Sequence, residues 1–549
     1  MRWKWLPLVA LLSACVAPTP PVAAPVLPPP IEVQILAFND FHGNIVTPPP
    51  VEVTAADGLK RMLTSGGVAR LAAALAGRRT PTSITVSAGD LIGASPLISA
   101  AFLDEPTVAA MNLVGLDLNA VGNHEFDKGP RELWRMQAGG CGKFTSLTPC
   151  RIEPFAGAKF RFLAANVRTA DGVTLVAPTA IRQFGAVKIG FIGMTLAGTG
   201  KLVSPAASVG LTFEDEAAIA NALVPGLKAQ GADTIVLLIH QGGRTPAFTE
   251  GQGCDGLSGD ILPILDQLDP AIATIVSGHT HYAYVCKRGG RLLTSAGKYG
   301  YFFSDVRLAF DPSSHRLIAQ HAANLITGTS AEGEDPAVKA IVDRYAAAVA
   351  PIADRVVGRL LGPLPYSDKN QESPAADLNA DAFLAAGRRA GAQIALVNAT
   401  GVRVGLAAGA VRYGQLFSMV PFNNKVVVKT LTGAQIKALL EQQFQSASYA
   451  AGTAPAGLVP SVGTRFTYDL RRPVGQRIVA LTLNGKPIRP VARYRVVTNN
   501  YLANGGDGYS VMAAGTSAVD VGLDIDALSA WLAKGQRAPT VGRVLNGSR

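Results

Sequence analysis

Five of the seven histidines in this 549-residue chain stand in short polar segments that also carry aspartate or asparagine. The segments are Asn39-Asp40-Phe41-His42-Gly43, Ala88-Gly89-Asp90, Gly122-Asn123-His124-Glu125-Phe126-Asp127, His240-Gln241-Gly242-Gly243 and Ser277-Gly278-His279-Thr280-His281. A lone histidine is more often a hydrogen-bonded core or loop residue, but concentration in such segments is the mark of a metal centre. The donors are nitrogen and oxygen with no thiolate, which favours Zn, Mn, Fe or Mg over an iron–sulfur or copper–thiolate site. Two carboxylates, one asparagine and four histidines are enough for two ions and too many for one. Two cations about 3.5–4 Å apart, bridged by a carboxylate, suit hydrolysis at phosphorus. They acidify a bound water, polarise phosphoryl oxygens and neutralise charge developing in the transition state.

The segments need a scaffold that brings them together. Residues 33–38, 83–87, 118–121, 188–192, 234–239 and 273–276 are nearly continuous apolar runs, as expected for strands covered on both faces. Helical stretches at 67–77 and 106–114 fall between some of them, so the fold class is α/β. Five of the six runs end in one of the polar segments, and in an open α/β sheet the carboxyl ends of the strands line one crevice. The Ala-rich, charged stretch 331–355 predicts a connecting helix and a candidate hinge. After Pro363 a second unit begins, with helices at 377–390 and 433–444, the latter capped by Thr432, and strands at 394–397, 425–430, 478–483 and 494–498.

In order, D-x-H, G-D, G-N-H-E, H and G-H-x-H resemble the calcineurin-like metallophosphatases. The N-D-F-H-G and G-N-H-E-F-D-x-G forms narrow this to the 5′-nucleotidase family, which includes periplasmic nucleotidases and UDP-sugar hydrolases. The resemblance runs from about residue 31 to about 530. It implies an N-terminal four-layer α/β/β/α metallophosphatase sandwich over 31–330, the linker over 331–355, and a smaller C-terminal α/β substrate-binding domain over 356–549. It also implies two divalent ions, Zn or Mn first, with Mg, Fe and Ca as alternatives. Asp40, His42, Asp90 and His281 resemble the ligands of one ion. Asp90, Asn123, His240 and His279 resemble those of the other, with Asp90 the bridge. His124 and Asp127 resemble the catalytic dyad. In the second half, Tyr501-Leu502-Ala503-Asn504-Gly505-Gly506-Asp507-Gly508 is the most telling segment. Tyr501 and Phe422 match aromatics that stack on a nucleobase, Asp507 a ribose ligand, and Asn398 and Arg403 a phosphate-facing loop. At Gln371 the chain departs from the family, which often places a phosphate-binding arginine there. The resemblance implies hydrolysis of a 5′-nucleotide to nucleoside and phosphate by a metal-bound water. A 2′,3′-cyclic nucleotide phosphodiesterase, a UDP-sugar hydrolase and a non-catalytic surface nucleotide-binding protein remain as alternatives.

Composition places the protein in the cell envelope. Arg2 and Lys4 precede the apolar run 6–12, which ends in Leu12-Ser13-Ala14-Cys15. This is a signal peptide, and its end resembles a lipobox. Residues 1–15 are thus read as a lipoprotein signal with a lipid anchor on Cys15, residues 16–30 as a Pro-rich tether. Val16 after the cysteine points to the outer membrane. Four cysteines remain, an even number that suggests disulfides in an exported chain. Three pairings are open, with Cys141–Cys150 plus Cys254–Cys286 the first choice. The formal net charge is +11, but lysine and arginine form no run with interleaved aromatics, so no nucleic-acid partner is expected. No protein partner is expected either, and no internal run of about 20 apolar residues predicts a spanning helix.

Overall fold

A computed structural model describes Met1, Trp3 and residues 28–55, 57–245, 253–328, 333–367, 371–445 and 457–548. Cys15 and most of the tether lie outside the described residues. The first half is built on two six-stranded sheets. The first has the order β12-β11-β1-β2-β3-β4, with β1 Ile31–Phe38, β2 Ser83–Ser87, β3 Leu118–Ala120, β4 Arg161–Leu163, β11 Phe302–Phe310 and β12 Leu317–Ile326. The second has the order β9-β10-β8-β7-β6-β5, with β5 Thr179–Phe184, β6 Val187–Met194, β7 Thr234–Ile239, β8 Ile272–Ser277, β9 Ala283–Arg288 and β10 Arg291–Ala296.

Side-chain alternation explains the layering. Val33, Ile35 and Ala37 of β1 meet Val236 and Leu238 of β7 in the core between the sheets. The intervening Leu36 and Phe38 face the other way, into a core shared with helices α1 (Val68–Arg78) and α2 (Glu105–Val114). On the far side, Ile235, Leu237 and Ile239 of β7 pack against helix α3 (Glu216–Ala229). Both faces of the central strands are therefore buried, which is why they read as unbroken apolar runs. The result is the four-layer α/β/β/α sandwich. β1 runs parallel to β2, β2 to β3, and β7 to both β6 and β8, so their carboxyl ends open on one side.

Helix α4 (Pro336–Ala353) follows the sandwich and packs on it through Val338, Tyr345 and Val349. The Tyr345 ring meets Phe102 edge-on at 4.9 Å. Asp335 caps this helix with its carboxylate, accepting from Ala337 N and Val338 N. The second half carries a five-stranded sheet of order β15-β13-β16-β14-β17, with β13 Ile394–Asn398, β14 Lys425–Thr432, β15 Leu458–Pro460, β16 Arg493–Asn499 and β17 Thr516–Leu523. Helices α5 (Pro374–Gly387) and α6 (Gly433–Gln442) cover it, and Thr432 with Gln435 forms a reciprocal cap on α6. Disulfides join Cys141 to Cys150 and Cys254 to Cys286. No helix among the described residues is long and apolar enough to cross a membrane.

One buried charge cluster in the second half has a measurable signature. Arg543 holds Asp381 through two 2.8 Å hydrogen bonds and stands 3.6 Å from fully buried Asp377. Burial pushes Asp377 up to about 8; Arg543 opposes this, while Glu372 and Asp381 reinforce it. The folded protein thus keeps a proton there that the unfolded chain releases near pH 4, so stability falls as pH rises from about 4 to about 8. Asp377→Asn removes that slope. The melting temperature of the variant relative to wild type should climb between pH 5 and pH 8.5, as thermal unfolding across that range would show.

Candidate metal centre and substrate cleft

The carboxyl ends of the strands deliver the polar segments to one crevice, and the backbone bends sharply to do so. Asp40, His42, Asp90, His279 and His281 all have positive φ, between 47° and 72°. This conformation costs a non-glycine residue about 1–2 kcal/mol and clusters at functional sites. Hydrogen bonds hold it in place. Asp40 N donates to Gly89 O, His42 N to Asp90 O and Gly43 N to Leu91 O, extending the pairing of β1 with β2 past the end of the sheet. The first sheet is tied to the second where His279 N donates to the Asp40 carboxylate at 3.0 and 2.9 Å. Glycine is required at the closest approach: a Cβ on Gly122 would collide with the Asp90 carboxylate and lie 2.5 Å from Asp90 N.

Eight side chains converge. Asp40, His42 and His281 offer donor atoms within 4.8 Å of one another, as do Asp90, His240 and His279, and a third such set is His42, Asp90 and His124. Asp90 Oδ2 lies 3.1 Å from His240 Nε2 and 3.6 Å from His42 Nε2, so its carboxylate stands between the two groups. Asn123 Oδ1 is 3.2 Å from His240 Nε2 and 3.1 Å from His279 Nδ1. Second partners fix the tautomers. His42 Nδ1 donates to Gly93 O at 2.9 Å and His240 Nδ1 to Ala88 O at 2.8 Å, which turns each Nε2 inward. His42 Nε2 and His281 Nε2 face each other at 3.1 Å.

The charges fit a cationic guest. Burial pushes the Asp40 carboxyl up to about 7 and the imidazoles of His42 and His279 down to about 3. The two histidines are therefore neutral and carry lone pairs, while the carboxylate calls for positive charge. His240 differs: burial opposes its charge, but Asp90 draws it up to about 10, holding a proton that a divalent cation displaces.

His124 Nδ1 lies 2.8 Å from Asp127 Oδ2, and its Nε2 accepts from Arg403 Nη2 at 3.3 Å across the gap between the two halves. The ring of Phe422 stacks on His124 with centroids 6.2 Å apart, and the Arg403 guanidinium lies 5.2 Å from the centre of the Phe422 ring. Arg403 Nε is buried without a hydrogen-bond partner among the described residues. Tyr501 Oη donates to Asp507 Oδ1 at 2.6 Å, and Asn398 Nδ2 reaches Thr400 Oγ1 at 2.9 Å and Asp507 Oδ2 at 3.5 Å. Asp90, Asn123, His124, Arg403, Phe422 and Tyr501 line a single cavity of about 730 Å³. Asn398, Asp507, His279 and His281 line it as well; Gln371 is exposed and does not.

Three further residues act on this site and went unassigned in the sequence. Glu125 accepts from Asp90 N at 3.0 Å, Leu91 N at 2.7 Å and Gly122 N at 2.7 Å, clamping two ligand loops together. Asn39 donates to Asp40 Oδ2 and Gly297 O and accepts from Ala296 N, stitching β1 to the end of β10. Asn499 donates to Asn398 Oδ1 at 3.1 Å and caps the helical turn that carries Tyr501. Glu125 and Asn39 sit inside the motifs, but only the fold shows what they hold. Glu125→Ala leaves those three amides unpaired and should weaken divalent-ion binding about 10- to 100-fold, as metal titration followed by elemental analysis would measure.

Residues 356–514 match the family model "5′-nucleotidase, C-terminal domain". The endonuclease YhcR of Bacillus subtilis is 27% identical over 480 residues, which is 86% of this chain; the match spans only 37% of that longer protein. The human 5′-nucleotidase is 24% identical over 540 residues, covering 92% of this chain and 88% of that protein. The crystal structure of a 5′-nucleotidase precursor from Thermus thermophilus superposes with a TM-score of 0.78 at 28% identity, covering 94% of this chain and 99% of that one. Residues 356–514 thus carry the 5′-nucleotidase C-terminal domain, and on the motifs, the sandwich and these likenesses the chain as a whole is similar to the 5′-nucleotidases.

Proposed function

We propose that this protein hydrolyses 5′-nucleotides to nucleoside and inorganic phosphate, with two divalent ions in the crevice. The observation that carries the reading is one cavity lined both by Asp90, Asn123, His279 and His281 of the convergent donor cluster and by the Arg403–Phe422–Tyr501 group. Asp40, His42, Asp90 and His281 would hold one ion. Asp90, Asn123, His240 and His279 would hold the other, with Asp90 shared. Zn and Mn suit these borderline nitrogen and oxygen donors best. When bound, the ions supply an acidified water and positive charge for the phosphoryl oxygens.

The chain's own residues do the rest. Arg403, with its unpaired Nε, is ready to make charge-assisted hydrogen bonds to phosphate oxygens, with Asn398 beside it. Asp127 holds the His124 ring and stabilises its protonated form, which offers positive charge to the phosphoryl group as the ester bond breaks. Phe422 and Tyr501 offer ring faces to the base, and Asp507 offers carboxylate oxygens to the ribose hydroxyls. A second reading, a 2′,3′-cyclic nucleotide phosphodiesterase or UDP-sugar hydrolase, draws support from Gln371, which brings no cation to the cleft. The signal sequence and Cys15 support a lipid-anchored enzyme of the cell envelope.

The test is phosphate release from AMP with Mn or Zn present, beside a panel of cyclic nucleotides and UDP-sugars. Turnover of AMP is expected, and inertness toward the whole panel would overturn the reading. His124→Ala should lower kcat by about 10²- to 10⁴-fold with metal content unchanged. Phe422→Ala and Tyr501→Ala should each raise KM, because stacking on one base is worth about 1–3 kcal/mol.

A further inference from the structure

We propose that Lys298 and Arg244 form a terminal-phosphate subsite beside the His279–His281 loop, supplying from the sandwich the positive charge that Gln371 does not bring from the second half. The inference rests on the nucleotide-hydrolase reading and names residues that reading left out. Both cations line the same cavity as His279, His281 and Arg403. Neither forms an ion pair with a carboxylate among the described residues, and the Asp40 and Asp90 carboxylates face the histidine cluster.

Backbone hydrogen bonds anchor the segment that carries each cation. Tyr299 N donates to Asp40 O at 2.8 Å, which anchors the Lys298 loop directly on a candidate metal ligand. Lys298 Nζ lies 4.9 Å from the centre of the Tyr299 ring, and that ring is 5.9 Å from His42 and 6.0 Å from His281. Arg244 exchanges two backbone hydrogen bonds with Ser258, 2.7 and 3.0 Å long. Thr280 Oγ1 donates to Gly243 O at 2.5 Å, which fixes the approach to Arg244 against the loop carrying His279 and His281. Lys298 is one of the stronger electrostatic influences on His281, and Arg244 also acts on His279. Lys298 is half-buried. Arg244 is exposed at the rim, where its long arm is free to fold over a ligand. A dianionic phosphate is a counter-charge of the right kind for both residues. The second half is then left to contribute Arg403, and a phosphate can be gripped from two sides.

The probes are AMP, inorganic phosphate and adenosine. KM, kcat and the inhibition constants of phosphate and adenosine would be measured for wild type, Lys298→Met, Lys298→Arg, Arg244→Met and the double Met variant, with bound metal assayed in each. Loss of one charge-assisted contact should raise the phosphate inhibition constant and KM for AMP together by about tenfold. Lys298→Arg should restore most of the loss, and adenosine inhibition and metal content should not move. A double variant whose phosphate inhibition is unchanged, or whose adenosine inhibition or metal content shifts in parallel, overturns the subsite. If the wild type turns over no nucleotide, the functional reading fails on its own. Calorimetric titration of inorganic phosphate into the Mn-loaded proteins then decides the subsite separately: weaker binding by the Met variants supports it, and equal binding sinks it.

Discussion

The carboxylate of Asp90 has to face two imidazole groups at once, and most of the surrounding architecture serves that demand. Its Oδ2 approaches His240 and His42, while its Oδ1 accepts from His124 N at 2.9 Å. No regular strand end presents a side chain this way. Asp90 does so with φ at 50°, and Glu125 holds it there from behind by taking the amides of Asp90, Leu91 and Gly122. Burial pushes Glu125 up to about 7, and those same amide hydrogen bonds work to keep it ionised. The crevice is thus assembled against local preference, with five candidate metal ligands in left-handed backbone, and the packed sheets beneath must be rigid enough to impose it.

The sandwich supplies that rigidity and the second half supplies reach. Their helices share one apolar core, running from Leu36 and Phe102 through Tyr345 on α4 to Phe383 and Leu528. Across the cleft, Arg403 meets His124 at 3.3 Å, Tyr501 Oη meets Lys201 O at 3.4 Å, and the Phe422 ring stacks on His124. A large shared core behind and these contacts in front let a ligand alter the front without disturbing the back. The second half reaches forward with Phe422, Tyr501 and Asp507 together with the cation Arg403, while the sandwich presents the Asp/His/Asn cluster.

Much of this was legible in the sequence, for a definite physical reason. Strands covered on both faces must be apolar throughout, so 234–239 and 273–276 announce themselves and mark where His240 and His279 emerge. Ligand types are equally conspicuous, because buried histidine and aspartate have few other uses at a strand end. The paired β11 and β12 were less visible. Leu317–Ile326 is mostly half-exposed, and its sequence LIAQHAANLI has neither an unbroken apolar run nor strict alternation. Contacts across the fold were invisible. Nothing in spacing alone brings Lys298 beside His281, Asn39 onto β10, or Asn499 onto Asn398, since each pair belongs to different loops or strands. The short disulfide Cys141–Cys150 was readable because a separation of 9 residues is an easy span; Cys254–Cys286 followed only as the remainder.

The two ends of the cleft differ in how strictly they can discriminate. On the proposed function, the phosphate end is directional: the buried imidazoles of His42 and His240, the buried carboxylates of Asp40 and Asp90 and the half-buried Arg403 guanidinium leave charges unanswered by a misplaced or neutral group, which is expensive. At the nucleoside end, the partners are ring faces and a chain of amides and hydroxyls, Asn499 to Asn398 and Tyr501 to Asp507. Ring faces accept any base. The Asp507 carboxylate already takes the Tyr501 hydroxyl and the amide of Asn398, which fixes its aim before any ribose arrives. On the proposed function, such a site would read sugar and phosphate closely and base loosely. Selectivity for one base would need a directional donor or acceptor at the base edge; Asn423, Asn424 and Asn500 are among the polar side chains that line the same cavity.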